Sequence, residues 1–257
     1  MKMLAGKHAL VTGSTQGLGL AVARRLASAG CDIVLNGLAD PAAAEELVRQ
    51  IESDFGVRCI FSPADLRNPA AIEEMMALGP VDILVNNAVV RHVALIETMA
   101  AEDWNQDIAV NLSAAFHTIR LAVPGMKARN WGRIVNVSSI YGLVGATERV
   151  GYVTTKTALL GLTRAVALET TGYDITCNAV CPGTSATPVH EANLEALRRS
   201  QNLDRVAAER QLLAGKQPTG RLVSPESVAA LIASLCSPES RDITGAAIPI
   251  DGGWSAM

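Results

Sequence analysis

The chain has 257 residues, enough for one large α/β domain spanning 1–257, and no internal repeat or break in composition divides it in two. With 18% charged residues and a net charge of −3 it lacks the basic bias of a nucleic-acid binder, so no nucleic-acid partner is expected. No apolar run reaches the ~18–20 residues of a bilayer span, and residues 1–8 are too short and polar for a signal peptide, so a cytoplasmic protein without a membrane partner is expected.

Short apolar runs alternate with long helical patterns along the chain. Residues 8–12 read as a first strand, and 18–29 as an amphipathic helix stopped by Gly30. Further strands are expected at 32–36, 58–62, 82–86, 133–138, 176–181 and 247–250, with helices near 41–54, 69–78, 101–128, 151–171 and 225–236. Strands that are almost wholly apolar, separated by helices, imply a parallel sheet covered on both faces and linked by right-handed crossovers. The expected fold is therefore a single-domain, doubly wound, Rossmann-like seven-stranded parallel sheet. Residues 184–217 break the rhythm. They are polar, show helical periodicity at 191–199 and 205–213, and look like an insertion at the carboxyl edge of the sheet, where ligands bind in such folds. A mobile substrate lid is one reading of this segment, and plain packing of its apolar face is the other.

Cysteines 31, 59, 177, 181 and 236 sit mostly in apolar segments with no Cys-x-x-Cys pair, and read as buried free thiols. Histidines 8, 92, 117 and 190 show no metal-ligand spacing, so no catalytic metal is expected.

Two motifs carry chemistry. After the first strand come Gly13-Ser-Thr15-Gln-Gly17-Leu18-Gly19 and then a helix. Glycines there permit a tight turn and close backbone approach, and the helix N-terminus offers N–H groups to a pyrophosphate. The Gly-Lys-Ser/Thr ending of a nucleoside triphosphatase is absent. The second motif is Tyr152-Val-Thr-Thr-Lys156, with Ser139 thirteen residues earlier. A tyrosine and a lysine four apart share one helix face. A free phenol titrates near pH 10, so ionising it at pH 7 costs roughly 4 kcal/mol, which an adjacent cation and a positively charged cofactor offset. The pair is thus a candidate proton-transfer device.

The spacing Gly-x-x-x-Gly-x-Gly together with Tyr152-x-x-x-Lys156 resembles the classical short-chain dehydrogenase/reductase family. Asn86-Asn87-Ala88, Asn111, Ser139 and Pro182-Gly183 through Thr187-Pro188 follow in the family's order, so the resemblance covers essentially the whole chain. It implies that Tyr152 is the general acid/base, that Lys156 supports the tyrosine and holds the nicotinamide ribose, and that Ser139 hydrogen-bonds the reacting oxygen. It also implies that Asn111 anchors a proton-relaying water. Ser138 competes with Ser139, but the family's spacing favours Ser139. Cofactor-binding positions carried over are Gly13, Thr15, Gly17, Leu18, Gly19, Asn36, Asp65, Leu66, Asn87, Ala88, Tyr152, Lys156, Pro182, Gly183 and Thr187. Asn36 and Gly37 stand where an aspartate is usual, yet neither they nor Thr15-Gln16 offer a cation to a 2′-phosphate, which favours NAD.

Within the family the chain is similar to bacterial D-3-hydroxybutyrate dehydrogenases, through Asp32-Ile-Val-Leu-Asn-Gly37, Ala94-Leu-Ile-Glu97, Gly142-Leu-Val144, Ala167-Leu-Glu169, Lys216-Gln-Pro218 and Asp251-Gly-Gly-Trp254. Such enzymes have glutamine, histidine and lysine where this chain has Arg91, Tyr141 and Arg149, tryptophan at Thr184 and glycine at Val89. The resemblance implies a small anionic hydroxy acid as substrate, 3-hydroxybutyrate first, held by Arg91, Tyr141, Arg149 and Trp254. A bulkier or more highly charged hydroxy acid, a sugar acid or a sulfonate gripped by the two arginines is the alternative. Both arginines could instead be solvated surface charges. A homotetramer is the assembly the family implies. The rival class is a nucleotide-binding regulator that kept the fold and lost the chemistry. Loss of Tyr152, Lys156 or Ser139 would have favoured it, but all three are present.

Overall fold

The computed structural model describes residues 2–257. Seven parallel strands form one sheet in the order β3-β2-β1-β4-β5-β6-β7. They are β1 (His8–Val11), β2 (Asp32–Asn36), β3 (Cys59–Ser62), β4 (Ile83–Asn86), β5 (Gly132–Val137), β6 (Ile175–Pro182) and β7 (Ala247–Ile250). β4, β5 and β6 are buried along their entire length, which is why their sequences are mostly apolar and do not alternate, with Asn86, Arg133, Asn136, Thr176 and Asn178 as buried polar exceptions. The strand order reverses between β1 and β4, whose pairing runs from Ala9 opposite Ile83 to Val11 opposite Val85. A crevice opens at the carboxyl ends of such a pair, so the fold itself places a ligand site there.

Helices α1 (Gly17–Ser28) and α9 (Pro225–Leu235) cover one face, where Val22, Leu26, Val228 and Ile232 join a core with Val11, Ile33 and Val85. α3 (Pro69–Met76), α5 (Ala114–Ala128) and α6 (Val150–Glu169) cover the other, packing Ile72, Met75, Ile119 and Val166 against Leu10, Leu84 and Ile134. Local sequence fixes several ends. Asp40 accepts from the Ala42 and Ala43 amides at 3.0 and 3.1 Å ahead of α2 (Pro41–Phe55), which Gly56 closes at φ 67°.

The expected continuous helix over 101–128 is interrupted. α4 (Ala101–Ile108) and α5 are joined by a π-helical turn, Ala109–Ser113, which carries Asn111. Wider turns of this kind re-aim one side chain at the cost of regular hydrogen bonding, a change that apolar periodicity does not encode. The segment 184–217 forms α7 (Pro188–Gln201) and α8 (Arg205–Leu212), packed on each other and pinned by an Arg205–Glu191 ion pair at 2.7 Å.

Candidate active site

The phosphate loop is a set of backbone contacts. Gly13 and Gly17 have φ of 62° and 55°, conformations that favour glycine. A Cβ on Gly13 would stand 2.8 Å from Ala88 Cα, and one on Gly19 would stand 2.2 Å from the Gly13 carbonyl and 2.5 Å from Asn87 Nδ2. By contrast nothing lies within 4 Å of a Cβ built on Gly17, so that turn faces open space. Gln16 gives no side-chain cap to α1, leaving the N–H groups of its first turn for an anion. Glycine contacts closed on the protein side and open on the other, at a helix N-terminus, suit a pyrophosphate, and the site fits a dinucleotide.

Thr12 and Asn87 hold this loop. Thr12 Oγ1 accepts from the Asn87 and Ala88 amides at 2.9 and 3.0 Å, while Asn87 Nδ2 donates to the Thr12 and Gly13 carbonyls at 2.9 and 3.0 Å. The Asn36 side chain is fully occupied beneath the loop. It accepts from the Gly13 amide at 3.3 Å and donates to the Ser62 and Ala64 carbonyls at 3.2 and 3.0 Å, so it shapes the loop from inside instead of reaching outward. Gly37 lets Thr15 approach, since a Cβ there would be 2.9 Å from the Thr15 side chain. Leu38, 73% exposed, follows it, and Leu18 packs on the core. Asp65 is paired with Arg67, and Leu66 lines a narrow cavity together with Thr12, Ala88, Asn111 and Lys156.

Across the crevice, α6 presents Tyr152 and Lys156, both buried. Lys156 Nζ lies 5.7 Å from the Tyr152 ring centroid and donates to the Val137 carbonyl at 2.8 Å. Burial, with the positive charge of Arg91, pushes the Lys156 ammonium down to about 7. The expected ammonium neighbour of the phenol is therefore only part of the picture. The cation within hydrogen-bonding range of Tyr152 Oη is Arg91, whose Nη2 donates at 3.4 Å. A buried ammonium needs an acceptor, and the end of β5 supplies one, which turns Nζ toward the sheet.

The two serines separate cleanly. Ser138 Oγ donates to the Lys156 carbonyl at 2.7 Å and ties β5 to α6. Ser139 Oγ accepts from the Tyr141 amide at 3.1 Å, which leaves its own O–H free to donate. Asn111 uses its amide on the loop after β4, accepting from Val90 N at 2.9 Å and donating to Val90 O at 3.0 Å. It reaches α6 through Nδ2, which also donates to Thr155 Oγ1 at 3.4 Å beside Lys156, and it shares a cavity wall with Lys156 itself.

The substrate-side residues converge. Tyr141 stands edge-on between Tyr152 and Trp254, with centroid distances of 6.3 and 5.4 Å. Arg149 precedes α6 and forms an isolated bridge with Ala94, beside the segment that carries Arg91. Pro182 ends β6. A Cβ on the following Gly183 would lie 2.6 Å from Gln217 Oε1, and Thr187 hydrogen-bonds His190 at 3.1 Å.

Three residues here were not singled out by the sequence. Gln217, buried, accepts from Thr184 N and donates to the Arg221 carbonyl at 2.7 Å, closing the base of the 184–217 segment. His190 accompanies Thr187 in α7. Burial, with the positive charges of Arg91, Lys216 and Arg149, holds its imidazole below the usual range. Asp107 is fully buried under Gly151, with Oδ1 on His92 at 3.0 Å and no hydrogen-bond partner for Oδ2; burial raises its carboxyl above the usual range. Its only sequence signal is a charge on the inner face of a helix.

A doubly wound sheet with a pyrophosphate cradle opposite a buried tyrosine, lysine and serine defines an oxidoreductase that works with a bound nicotinamide dinucleotide. The short chain dehydrogenase family model matches residues 7–198. The chain belongs to that family. It is 44% identical over 260 residues to the D-beta-hydroxybutyrate dehydrogenase of Cupriavidus necator, covering 99% of this chain and 100% of the relative. It is 40% identical to the enzyme of the same name from Rhizobium meliloti, covering 98% and 99%. Among solved structures, L-sorbose reductase from Gluconobacter frateurii complexed with NADPH and L-sorbose superposes with a TM-score of 0.92 at 30% identity, covering both chains completely.

Proposed function

We propose that the protein is an NAD-dependent dehydrogenase that interconverts a small anionic hydroxy acid and its keto acid, 3-hydroxybutyrate and acetoacetate first. The observation that carries this reading is the guanidinium at the proton-transfer oxygen, Arg91 Nη2 to Tyr152 Oη at 3.4 Å, with Arg149 bridged to Ala94 on the same segment. A cation placed where the reacting oxygen docks favours a substrate that carries an anion close to its carbinol. The names of the two bacterial relatives support the same acid.

In this reading Tyr152 Oη takes the carbinol proton, and Ser139 Oγ donates to the same substrate oxygen as it becomes a carbonyl. Lys156 holds the cofactor ribose, Asn111 anchors a relay water at the shared cavity wall, and Arg91, Arg149, Tyr141 and Trp254 orient the acid. Bound NAD supplies the hydride acceptor. Gly13, Thr15, Gly17, Leu18, Gly19, Asp65, Leu66, Asn87, Ala88, Pro182, Gly183 and Thr187 surround it, with Asn36 supporting the loop from beneath. The absence of a cation at Thr15, Gln16, Asn36 and Gly37 supports NAD over NADP. Residues 184–217 act as the lid. Exposed Phe116 on α5 and Leu168 on α6, 49% and 73% accessible, support assembly through those helices into a homotetramer. Five free buried cysteines and the lack of any described helix long and apolar enough to cross a membrane support the cytoplasm.

Absorbance at 340 nm with NAD or NADP and each enantiomer of 3-hydroxybutyrate tests the proposal. NADH should form with one enantiomer, and Tyr152→Phe should lower kcat roughly 10²- to 10⁴-fold while cofactor binding persists. A parent enzyme inert with both enantiomers but active on a sugar acid or sulfonate would move the assignment to the more highly charged class, which Arg91 and Arg149 also suit.

A further inference from the structure

The Arg91 guanidinium does more than border the pocket. Its Cζ stands 4.9 Å from the Tyr152 ring centroid while Nη2 donates into Oη, so it lies across the phenol and occupies an acceptor position on the oxygen that must receive the carbinol proton. On α4, Asp107 and Asp103 are engaged by His92, at 3.0 and 3.4 Å. The same two contacts tether the backbone beside Arg91 to α4, and the Val90 pairing with Asn111 tethers it on the other side. Movement at this point is therefore confined to the arginine side chain, which is exposed and has room to swing.

A guanidinium binds a carboxylate more strongly than a phenol, because that contact is charge-assisted and can be bidentate. We propose that Arg91 gates the base: it sits on Tyr152 Oη until the carboxylate of an incoming hydroxy acid takes the guanidinium, which frees Oη to accept the carbinol hydrogen bond. Selection for acids then operates at the proton acceptor itself, in addition to pocket shape. The inference rests on the hydroxy-acid reading above. In the step it gates, the carbinol C–H and O–H bonds break and a C=O bond forms; the hydride reduces the nicotinamide cofactor and the proton passes to Tyr152 Oη. Arg91 neither gains nor loses a proton.

The test uses methyl 3-hydroxybutyrate, which carries the same carbinol without the charge, with and without added propionate. In the parent enzyme the ester should react slowly, and propionate supplied separately should accelerate it. In Arg91→Gln the ester kcat/KM should rise roughly two- to tenfold, the worth of one competing hydrogen bond, and propionate should no longer stimulate it. For 3-hydroxybutyrate the same variant should lose roughly 10- to 100-fold in kcat/KM, because a charge-assisted contact is removed. A crystal structure with propionate should show the guanidinium on the carboxylate and out of hydrogen-bonding range of Oη. The gate is overturned if ester turnover is the same in parent and variant, if the ester is inert in both, if propionate only inhibits, or if the guanidinium stays on Oη with propionate bound. Failure of the hydroxy-acid reading looks different: the parent then makes no NADH from 3-hydroxybutyrate, whatever the ester does.

Discussion

At the phosphate end of the cleft, backbone meets backbone. Gly19 lies against the Gly13 carbonyl, Gly13 against Ala88, and the Thr12 hydroxyl with the side-chain amides of Asn36 and Asn87 is used up in holding those approaches. Around the Tyr152 hydroxyl, side chains make the contacts: Arg91 extends from a tethered loop, Tyr141 stands edge-on between Tyr152 and Trp254, and Arg149 precedes α6. At Gly13 and Gly19 the first region has no room for an added methyl group. In the second, one guanidinium can be exchanged for another polar group without moving the main chain. Cofactor binding is thus built into the fold, whereas substrate choice is carried by side chains laid upon it, which is how one scaffold serves many substrates.

Gly19→Val gives the largest expected departure. A side chain 2.2 Å from the Gly13 carbonyl forces the loop apart, so NADH binding, followed by fluorescence titration, should be lost. Thermal unfolding should register a destabilisation of about 1–3 kcal/mol. A variant that still binds cofactor normally would break the contrast at its rigid end.

A second effect sharpens the comparison through pH. Lys156 titrates near 10.5 when exposed and is pushed down to about 7 by burial and Arg91. Its folded value lies below the unfolded one, so between those pH values the unfolded chain holds a proton that the folded chain lacks. Stability must therefore grow as pH rises from about 7 toward 10.5 and level off below 7. Melting temperatures of the unliganded parent minus those of Lys156→Met should climb across this window and stay level beneath it. A difference that ignores pH would show that the amine is not buried as described.

The smallest change is expected in the 184–217 segment. Arg205 and Glu191 are 54% and 38% exposed, and water screens their attraction. Arg205→Ala should cost less than about 1 kcal/mol of stability, read from chemical denaturation, and shift KM for the acid by no more than a fewfold. A collapse of folding would mean that the 184–217 segment belongs with the rigid part of the molecule.

The amino-acid order alone sufficed for the sheet, because mostly apolar runs of strand length recur between helical patterns, even though only β4, β5 and β6 are buried throughout and β7 has no buried residue. All seven strands lie where the runs of 8–12 through 247–250 indicate, within a residue or so at each end. It also determined the pairing of Tyr152 with Lys156 on one helix face and the glycine spacing of the loop, since both depend on local geometry. The interruption at Ala109–Ser113 was not legible, because a π turn alters which backbone groups pair while leaving the apolar pattern intact. Nor was the contact between the arginine and the phenol: the resemblance placed Arg91 at the substrate, but it stands 61 positions before the tyrosine it touches, and only the closing of the sheet brings its loop against α6. The tertiary structure alone decided which cation faces the phenol. A buried ammonium must find an acceptor, here the Val137 carbonyl, while an exposed guanidinium settles on the nearest electron-rich oxygen.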